Sequence, residues 1–296
     1  MKIAGYSSHT FHYEMFGYII DYCKRNNYEL TIYCKKEFDE GYINMYNNIF
    51  SDYKVEYKEY NQLNTEINNY NIIILFSDCD NSYKFTKNNV ICIDHYYKTR
   101  SPNINKHIAT RPYKENNRDW ALPCYPIIKD RINQNNYNIC IINSVTTKYN
   151  TNIINRLKYS QKINIHVISR NINIAHFDGI NNDKFNIILH KSPTALQLLN
   201  IINQCDYILT DISYDKPYED KIMSGAIPFS FSTLRTLIIS KQTNQYYKFK
   251  NVIEYDNNTT DDIILNEIDY NKIKEERDIL IKNNHELISK CINELM

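Results

Sequence analysis

Glycine is scarce in this sequence, which has only five glycines and a single tryptophan among its 296 residues. A protein of this length usually has about twenty glycines. Neither a G-x-G-x-x-G nor a G-x-x-x-x-G-K-[ST] segment occurs, which excludes the dinucleotide-binding Rossmann fingerprint and the P-loop. A phosphate group bound by this protein would therefore be held by hydroxyl groups and by the free N–H groups at the start of a helix.

An excess of charge of either sign is also absent. The 35 lysines and arginines balance the 34 aspartates and glutamates, which gives a net charge of +1. A protein whose main partner is duplex nucleic acid usually has a clear basic excess. We therefore expect no nucleic-acid partner.

Long apolar runs are missing as well. No run approaches the roughly 20 apolar residues that a membrane-spanning helix needs. The sequence opens on a strand-like segment at 1–5, which does not have the pattern of a signal peptide. We expect a cytoplasmic protein without a membrane span, located in the host cytoplasm if the source is a virus.

The eight cysteines do not have the spacing of a disulfide framework or a C-x-x-C motif. Cys34, Cys92 and Cys140 lie in strand-like runs, and Cys23 and Cys205 lie in helix-like segments. This placement predicts buried, reduced thiols that pack as small apolar residues. Reduced thiols in turn indicate a reducing compartment.

Apolar strand-like runs alternate with helix-like segments, which predicts an α/β fold with parallel sheets. The pattern breaks near 123–136, where two prolines precede a polar stretch typical of a hinge. We therefore predict two Rossmann-like domains, 1–125 and 126–296, that face each other across a cleft. The predicted strands of the first domain are 2–6, 28–34, 51–57, 71–76 and 90–94, and its first helix is 13–25.

The second domain repeats the alternation, and its last helix, 270–296, has a partial apolar stripe that would let it pack back on the first domain. In open α/β sheets, ligands bind beyond the carboxyl ends of the strands. The predicted strands of the second domain are 138–142, 163–169, 185–189, 207–210 and 226–231, and its other helices are 151–159, 194–204 and 216–224.

The segment 205–228 holds the richest set of candidate ligands. A buried strand ends in Thr210-Asp211-Ile212-Ser213, and a helix is predicted to begin at Lys216 or Pro217. The hydroxyls of Thr210 and Ser213, together with the N–H groups at that helix start, form a potential phosphate site.

Two acidic residues follow one turn into the same predicted helix. Glu219 and Asp220 are placed to accept hydrogen bonds from the diol of a ribose. Gly225 is expected to end the helix with a positive φ, the conformation that favours glycine there.

This segment resembles the donor-binding half of two-domain nucleotide-sugar glycosyltransferases of the GT-B fold, over residues of about 138–230. It is also similar to the TD-x-S-S signature of glycerophosphate-polymer transferases and of nucleotide-sugar epimerases. Tyr214 stands where that signature has its second serine, and the E-x7-E acidic pair of the family is incomplete. The positions that match the family pattern are Thr210, Asp211, Ser213, Asp220, Gly225 and Pro228.

The resemblance implies a hexosyltransferase that moves a sugar from a nucleotide-sugar such as a UDP-sugar to a hydroxyl of a glycan or another acceptor. It requires no cofactor or metal. Domain 126–296 would bind the donor, and domain 1–125 would carry the acceptor. Lys148 and Arg170 follow strands of the second domain and are candidates to stabilise the diphosphate leaving group. The sugar, nucleobase, acceptor, stereochemical outcome and oligomeric state stay open.

The resemblance also places a catalytic base after a strand of the first domain if the reaction inverts the sugar. A histidine titrates near neutral pH and can take the proton of an acceptor hydroxyl. His95 together with Asp94 is the first candidate, because both follow the strand-like run 90–94. His12 and His9, which follow the first strand, are the others. A retaining enzyme would need no such base.

Three alternatives remain. Asp78-Cys79-Asp80 follows a strand and resembles the D-x-D motif of GT-A transferases, in which two carboxylates would bind Mg²⁺ or Mn²⁺. The second alternative is a nucleotide-sugar epimerase, and the third is a non-catalytic scaffold of the same fold. A zinc site is not predicted, because His166 and His176 have no partner at zinc-site spacing.

Overall fold

The protein was analysed as a computed structural model. The chain divides into two compact units, Met1–Tyr125 together with Ile279–Met296, and Pro126–Asp278. The structure describes residues 1–9, 13–77, 85, 89–95, 104, 106–113, 119–127, 137–142, 149–170, 174–210, 212, 223–266 and 269–296, with the backbone alone at 13, 36–40, 174 and 176.

The first unit is built on a parallel sheet of six described strands in the order β3-β2-β1-β4-β5-β6. The chain starts at β1 in the middle, runs outwards to β3, and returns to β4 beside β1, so a topological switch point lies between β1 and β4. All residues of β4 and β5 are buried, as is typical of parallel strands covered on both faces. The strands are β1 Lys2–Tyr6, β2 Glu29–Cys34, β3 Val55–Glu59, β4 Ile72–Phe76, β5 Val90–Asp94 and β6 Lys106–Ala109.

The described helices of the first unit connect these strands. In α1, eight consecutive residues from Phe16 to Cys23 are buried, because Gly17 lets the ring of Tyr125 pack directly on the backbone. A Cβ atom at position 17 would lie 2.2 Å from Cε1 of Tyr125. The helices are α1 Phe16–Arg25, α2 Lys36–Ile49 and α3 Leu63–Glu66, with 3₁₀ turns at Tyr13–Met15, Tyr60–Gln62 and Ile67–Asn69.

The second unit has a parallel sheet with the same order of described strands, β10-β9-β7-β11-β12-β13, and a two-stranded sheet, β14-β8. Its switch point lies between β7 and β11. The strands are β7 Asn138–Ile142, β8 Leu157–Lys158, β9 Ile163–Ser169, β10 Phe185–Lys191, β11 Tyr207–Leu209, β12 Thr236–Ser240, β13 Ile253–Tyr255 and β14 Ile263–Ile264.

The described helices of the second unit include one with a complete N-terminal cap. The Thr194 hydroxyl accepts from the Gln197 N–H, and the Gln197 side chain accepts from the Thr194 N–H, which satisfies two of the N–H groups at the helix start. The last helix belongs to both units, since Ile279–Met296 lies in the first. The helices are α4 Thr151–Asn155, α5 Ala195–Asn203, α6 Ala226–Ser232, α7 Lys241–Tyr247 and α8 Tyr270–Leu295, with a 3₁₀ turn at Ile174–Phe177.

The predicted strand at 226–231 is wrong, because these residues form α6. All seven residues of α6 are buried, including Ser230 and Ser232, so the helix has no exposed polar face and its sequence shows no helical period. Pro228 is the third residue of α6, where the proline loses no intrahelical hydrogen bond. The strand beside β11 is β12 instead.

The predicted positive φ of Gly225 is also wrong. Gly225 is the N-cap of α6 with a φ of −59°, a conformation open to any residue. Glycine is tolerated at an N-cap, so the backbone angle itself does not require it. The predicted helix 151–159 ends at Asn155 and is followed by β8.

The prediction of reduced thiols holds for six of the described cysteines and fails for one. Cys92 forms a disulfide. Within the described residues, no helix combines the length and the apolar character needed to cross a membrane. The free, buried cysteines are Cys23, Cys34, Cys124, Cys140, Cys205 and Cys291.

Candidate active site

The carboxyl ends of β7 and β11 lie side by side at the switch point of the second sheet, where open α/β sheets usually bind ligands. Thr210 is the first residue beyond β11, and it is buried. Its N–H and its hydroxyl both donate to the carbonyl of Ile238, at 3.0 and 3.1 Å. The Tyr255 hydroxyl donates to the Thr210 carbonyl at 2.8 Å. In this arrangement Thr210 fixes the start of the loop, and its hydroxyl proton points at a backbone carbonyl and not at a phosphate site.

The loops that follow β7 and β11 are tied together. Ile212 is buried in the apolar core of the second unit, and its carbonyl accepts from the Asn150 N–H at 2.7 Å. Asn150 is the N-cap of α4, at the end of the loop that leaves β7. Among the described residues, this hydrogen bond joins the chain before α4 to the chain after β11.

Several predicted site residues fall outside the described residues, and their roles stay predictions. The other end of the segment is described, and there Gly225 begins α6. Outside the described residues lie His12, Asp78, Asp80, Lys148, Asp211, Ser213, Glu219 and Asp220.

Arg170 lies directly after β9, at the same edge of the second sheet. Its side chain is exposed, and among the described residues the guanidinium has no hydrogen-bond or ion-pair partner. Its backbone is held, because the Ser192 hydroxyl donates to the Arg170 carbonyl at 3.2 Å and the Ser192 N–H donates to the Ser169 carbonyl at 2.9 Å. Arg170 is therefore a cation on a fixed strand end, open to solvent.

A hydrogen-bonded carboxyl–imidazole pair lies at the carboxyl end of β5 in the first unit, with Asp94 buried and His107 half-buried. Nδ1 of His107 lies 3.0 Å from Oδ2 of Asp94, and Nε2 of His107 lies 3.1 Å from the Ile104 carbonyl. The two contacts hold the imidazole ring in one orientation. The sequence did not indicate this role of His107, because the short, half-buried strand β6 was not predicted.

The backbone around the predicted base His95 is held by residues that follow β6. The Asp94 carbonyl accepts from the N–H and the hydroxyl of Thr110, at 3.0 and 3.2 Å. The Tyr113 hydroxyl donates to the His95 carbonyl at 3.1 Å. The His95 side chain is 4% exposed, so solvent reaches it only slightly.

Two serines mark the switch point of the first sheet. Ser7 follows β1 and Ser77 follows β4, and their N–H groups donate to the carbonyls of Tyr33 and Ile93. Both hydroxyl oxygens are buried, and neither has a hydrogen-bond partner among the described residues. Ser77 has a φ of +53°, a strained conformation of the kind that clusters at functional sites.

The described residues contain one cluster of potential metal ligands, formed by Cys92, Asp94 and His107, whose ligand atoms lie within 4.8 Å of one another. The sulfur of Cys92 is held in a disulfide, so it cannot act as a thiolate. Asp94 and His107 bind each other. The cluster is therefore better described as a hydrogen-bonded pair beside a disulfide than as a metal centre.

No protein-family model matches the sequence, and no curated protein sequence is similar to it. Solved structures do match over the full chain. The crystal structure of Alr3699/HepE from Anabaena in complex with UDP-glucose has a TM-score of 0.54 and 8% sequence identity, and the match covers 100% of this chain and 94% of that one. Its complex with UDP and glucose gives a TM-score of 0.49, 10% identity and coverages of 97% and 94%.

A third matching structure is that of the DNA-modifying enzyme beta-glucosyltransferase. It has a TM-score of 0.46 and 11% identity, with coverages of 100% and 96%. At these identities the likeness to HepE establishes the fold alone. The predicted fold class is confirmed: the chain is an α/β protein with two Rossmann-like sheets, and it has the GT-B fold.

Proposed function

We propose that the protein transfers a sugar from a nucleotide-sugar donor, with UDP as the nucleotide, to a hydroxyl group of an acceptor, without a metal ion. The observation that carries this proposal is the position of the segment beginning at Thr210. It leaves β11 at the switch point of the second sheet, and the fold matches that of a protein crystallised with UDP-glucose over the whole chain.

On the donor side, Glu219 and Asp220 would accept hydrogen bonds from the ribose hydroxyls. Thr210 and Ile212 anchor the segment that leads to them. Arg170, an exposed cation on a fixed strand end, and Lys148 would stabilise the diphosphate as it leaves, since charge develops there in the transition state. Asp211 and Ser213 would contribute polar contacts.

On the acceptor side, His95 would accept the proton of the attacking hydroxyl, with His12 as the second candidate. Asp94 would act through its hydrogen bond with His107, which fixes the strand end from which His95 projects. The hydroxyls of Ser7 and Ser77, which have no hydrogen-bond partner among the described residues, would bind hydroxyl groups of the acceptor once it displaces the side chains that cover them. An acceptor rich in hydroxyls, such as a glycan, fits these groups.

Donor binding is tested by calorimetric titration of UDP and UDP-glucose into the wild type and into the variants Asp220→Ala and Glu219→Ala. A saturating donor should stabilise the wild type by roughly 2–4 kcal/mol at 100–1,000 times its dissociation constant. At least one variant should bind much more weakly while its melting temperature without ligand is unchanged. Asp183→Ala, which removes an exposed carboxylate just before β10, is the matched control.

The same titration and a turnover assay separate the alternatives. Unchanged affinity in both variants would remove the proposed donor site. Conversion of the nucleotide-sugar without an acceptor would identify an epimerase. Activity that EDTA abolishes and Mn²⁺ restores would identify a metal-dependent transferase using Asp78 and Asp80. Stabilisation by no nucleotide diphosphate would favour a scaffold.

A further inference from the structure

Two histidines of the second unit form a hydrogen-bonded pair that no spacing in the sequence indicates. His166 lies on β9 and His190 on the neighbouring edge strand β10, where the register pairs His166 with Ile188 and His190 with Ile168. The two histidines are therefore diagonal neighbours. Nδ1 of His166 lies 3.0 Å from Nε2 of His190.

The two rings lie end to end in nearly one plane. Their planes differ by 5° and their centroids are 5.2 Å apart. The distance between the two nitrogens, with one ring radius added on each side, nearly equals the distance between the two ring centroids. The line between the centroids therefore lies in the ring planes, and the rings cannot be stacked face to face. The lone-pair directions of the two nitrogens point at each other, which is the geometry of a hydrogen bond. A metal ion bound to both nitrogens would require both rings to turn.

This geometry limits how many protons the pair can hold. One proton lies between Nδ1 of His166 and Nε2 of His190, and each remaining ring nitrogen can carry one more. The neutral pair therefore has two protons, and a third gives it a single positive charge while the hydrogen bond stays intact. A fourth proton would place two N–H groups head to head and break the bond.

The surroundings of the pair offer little to stabilise a positive charge. Burial lowers the pKa of His166, and the nearby His190 lowers it further. Burial also lowers the pKa of His190. His166 is 7% exposed, so water compensates its charge poorly.

Among the described residues, the neighbouring elements also provide no anionic group to stabilise a positive charge on the pair. On β7, Cys140 lies beside His166 in the register, and its thiol is close to that of Cys205. α5, with the sequence ALQLLNIIN, has no ionisable residue. The described cations that flank the pair along these two strands are Arg170, exposed just beyond β9, and Lys191, next to His190.

The same face of the sheet holds an apolar cluster. Cys140 and Ile168 pack there with Leu198 and Ile202 of α5, and His166 shares the face of Ile168 because alternate strand residues point the same way. We propose that the His166–His190 pair is a single-proton site, and that filling it loosens the packing of α5 and of the edge strand β10 on the second sheet.

Hydrogen exchange measured between pH 7.5 and pH 5 tests the proposal, after correction for the intrinsic pH dependence of exchange. In the wild type, peptides covering β10 and α5 should exchange faster below about pH 6.5, by up to tenfold per pH unit for each proton taken up. Peptides from β12, three strands away from β9 in the same sheet, should not exchange faster. In the double variant His166→Asn and His190→Gln, whose amides replace Nδ1 and Nε2, the pH dependence should disappear.

His9→Gln in the first unit is the matched control and should leave the wild-type pattern unchanged. A pH-dependent rise that persists in the double variant would overturn the proposal. NMR titration of the two imidazoles in the wild type is the second measurement, and it does not depend on the folding of the double variant. Uptake of one proton by the pair in the folded protein is the expected result; two independent protons with ordinary histidine pKa values would overturn it.

Discussion

The two sheets have the same strand order, yet they bury different polar groups. The first sheet has the carboxyl–imidazole pair Asp94–His107 at its carboxyl edge. The second places a ladder of three in-register asparagines near its amino edge and the neutral His166–His190 pair near its carboxyl edge. In the ladder, Asn164 donates to Asn138 at 2.9 Å and accepts from Asn186 at 3.2 Å.

This difference shows that topology decides where a site lies and side chains decide what it can do. Both switch points lie between the first and fourth strands of their sheets. At the first sheet a carboxyl and an imidazole meet at the carboxyl edge. Along the second sheet three amides and two imidazoles bond to one another between neighbouring strands, and the charged residues Asp206 and Arg235 lie buried just before β11 and β12. Four substitutions or conditions test this contrast.

Breaking the carboxyl–imidazole pair should have the largest effect. If the two groups form an ion pair, Asp94→Ala leaves the half-buried His107 without its carboxylate, which should lower the free energy of unfolding by about 3–5 kcal/mol. Trp120 is the sole tryptophan of the sequence and lies in the first unit, so its fluorescence during urea unfolding reports on this unit. The double variant Asp94→Ala and His107→Ala should lose less than the sum of the two single losses. A loss below about 1 kcal/mol for Asp94→Ala would argue against an ion pair.

Gly17→Ala should come next, at about 1–3 kcal/mol, because the added methyl group would overlap the ring of Tyr125. The same fluorescence measurement applies. In a Tyr125→Leu background the substitution should cost clearly less. Gly179→Ala in the second unit is the matched comparison, because it tests backbone strain instead of steric overlap. A Cβ atom there would lie 3.6 Å from Oγ1 of Thr151, which is an ordinary contact. The φ of +89° should cost about 1–2 kcal/mol for a residue with a Cβ.

Asn164→Leu should destabilise the second unit by about 1–3 kcal/mol, because Asn138 and Asn186 each lose a partner. Far-UV circular dichroism during thermal unfolding follows the loss, while the fluorescence of Trp120 should report no matching change in the first unit. Asn186→Leu, at the exposed end of the ladder, is the control and should cost less. If Asn164→Leu and Asn186→Leu lowered the stability equally, the central asparagine would contribute no more than the exposed one.

Acidification by one pH unit should lower the free energy of unfolding less than any of these substitutions. The folded state lowers the pKa of His166 and His190, so below about pH 6.5 the unfolded chain binds protons that the folded pair excludes. The contribution of the pair to the free energy of unfolding is fully present above that pH, and it decreases as the pH falls towards the lowered pKa values. The limit is about 1.4 kcal/mol per pH unit for each excluded proton, reduced because His190 is partly exposed. Urea midpoints at pH 7.5, 6.5 and 5.5 measure it, and His190→Gln should flatten the dependence.

The sequence located most strands of both sheets because a buried parallel strand is a continuous apolar run. The runs at β4, β5, β7 and β9 were predicted within one residue of their observed ends. The prediction failed at β6, which is short and half-buried, and at α6, whose apolar run has no period. Which of two apolar runs pairs with β11 depends on the fit of the whole sheet.

For the candidate site, the sequence predicted ligand roles for Thr210 and the segment after it, because a polar run that follows a buried strand is a local pattern, and those roles stay predictions. It did not identify His107 as the partner of Asp94, nor His190 as the partner of His166. These partners are 13 and 24 residues apart, and no spacing rule connects them.

The sequence by itself thus determined the α/β class, the rhythm of strands and helices, and the strand ends at which ligands are expected, since all three follow from hydrophobic periodicity along the chain. Only the tertiary structure decided which polar groups meet: the carboxyl–imidazole pair at β5 and β6, the asparagine ladder, the histidine pair and the disulfide of Cys92. The reason is that a hydrogen bond between neighbouring strands depends on their register, and the register is set by the packing of the whole sheet.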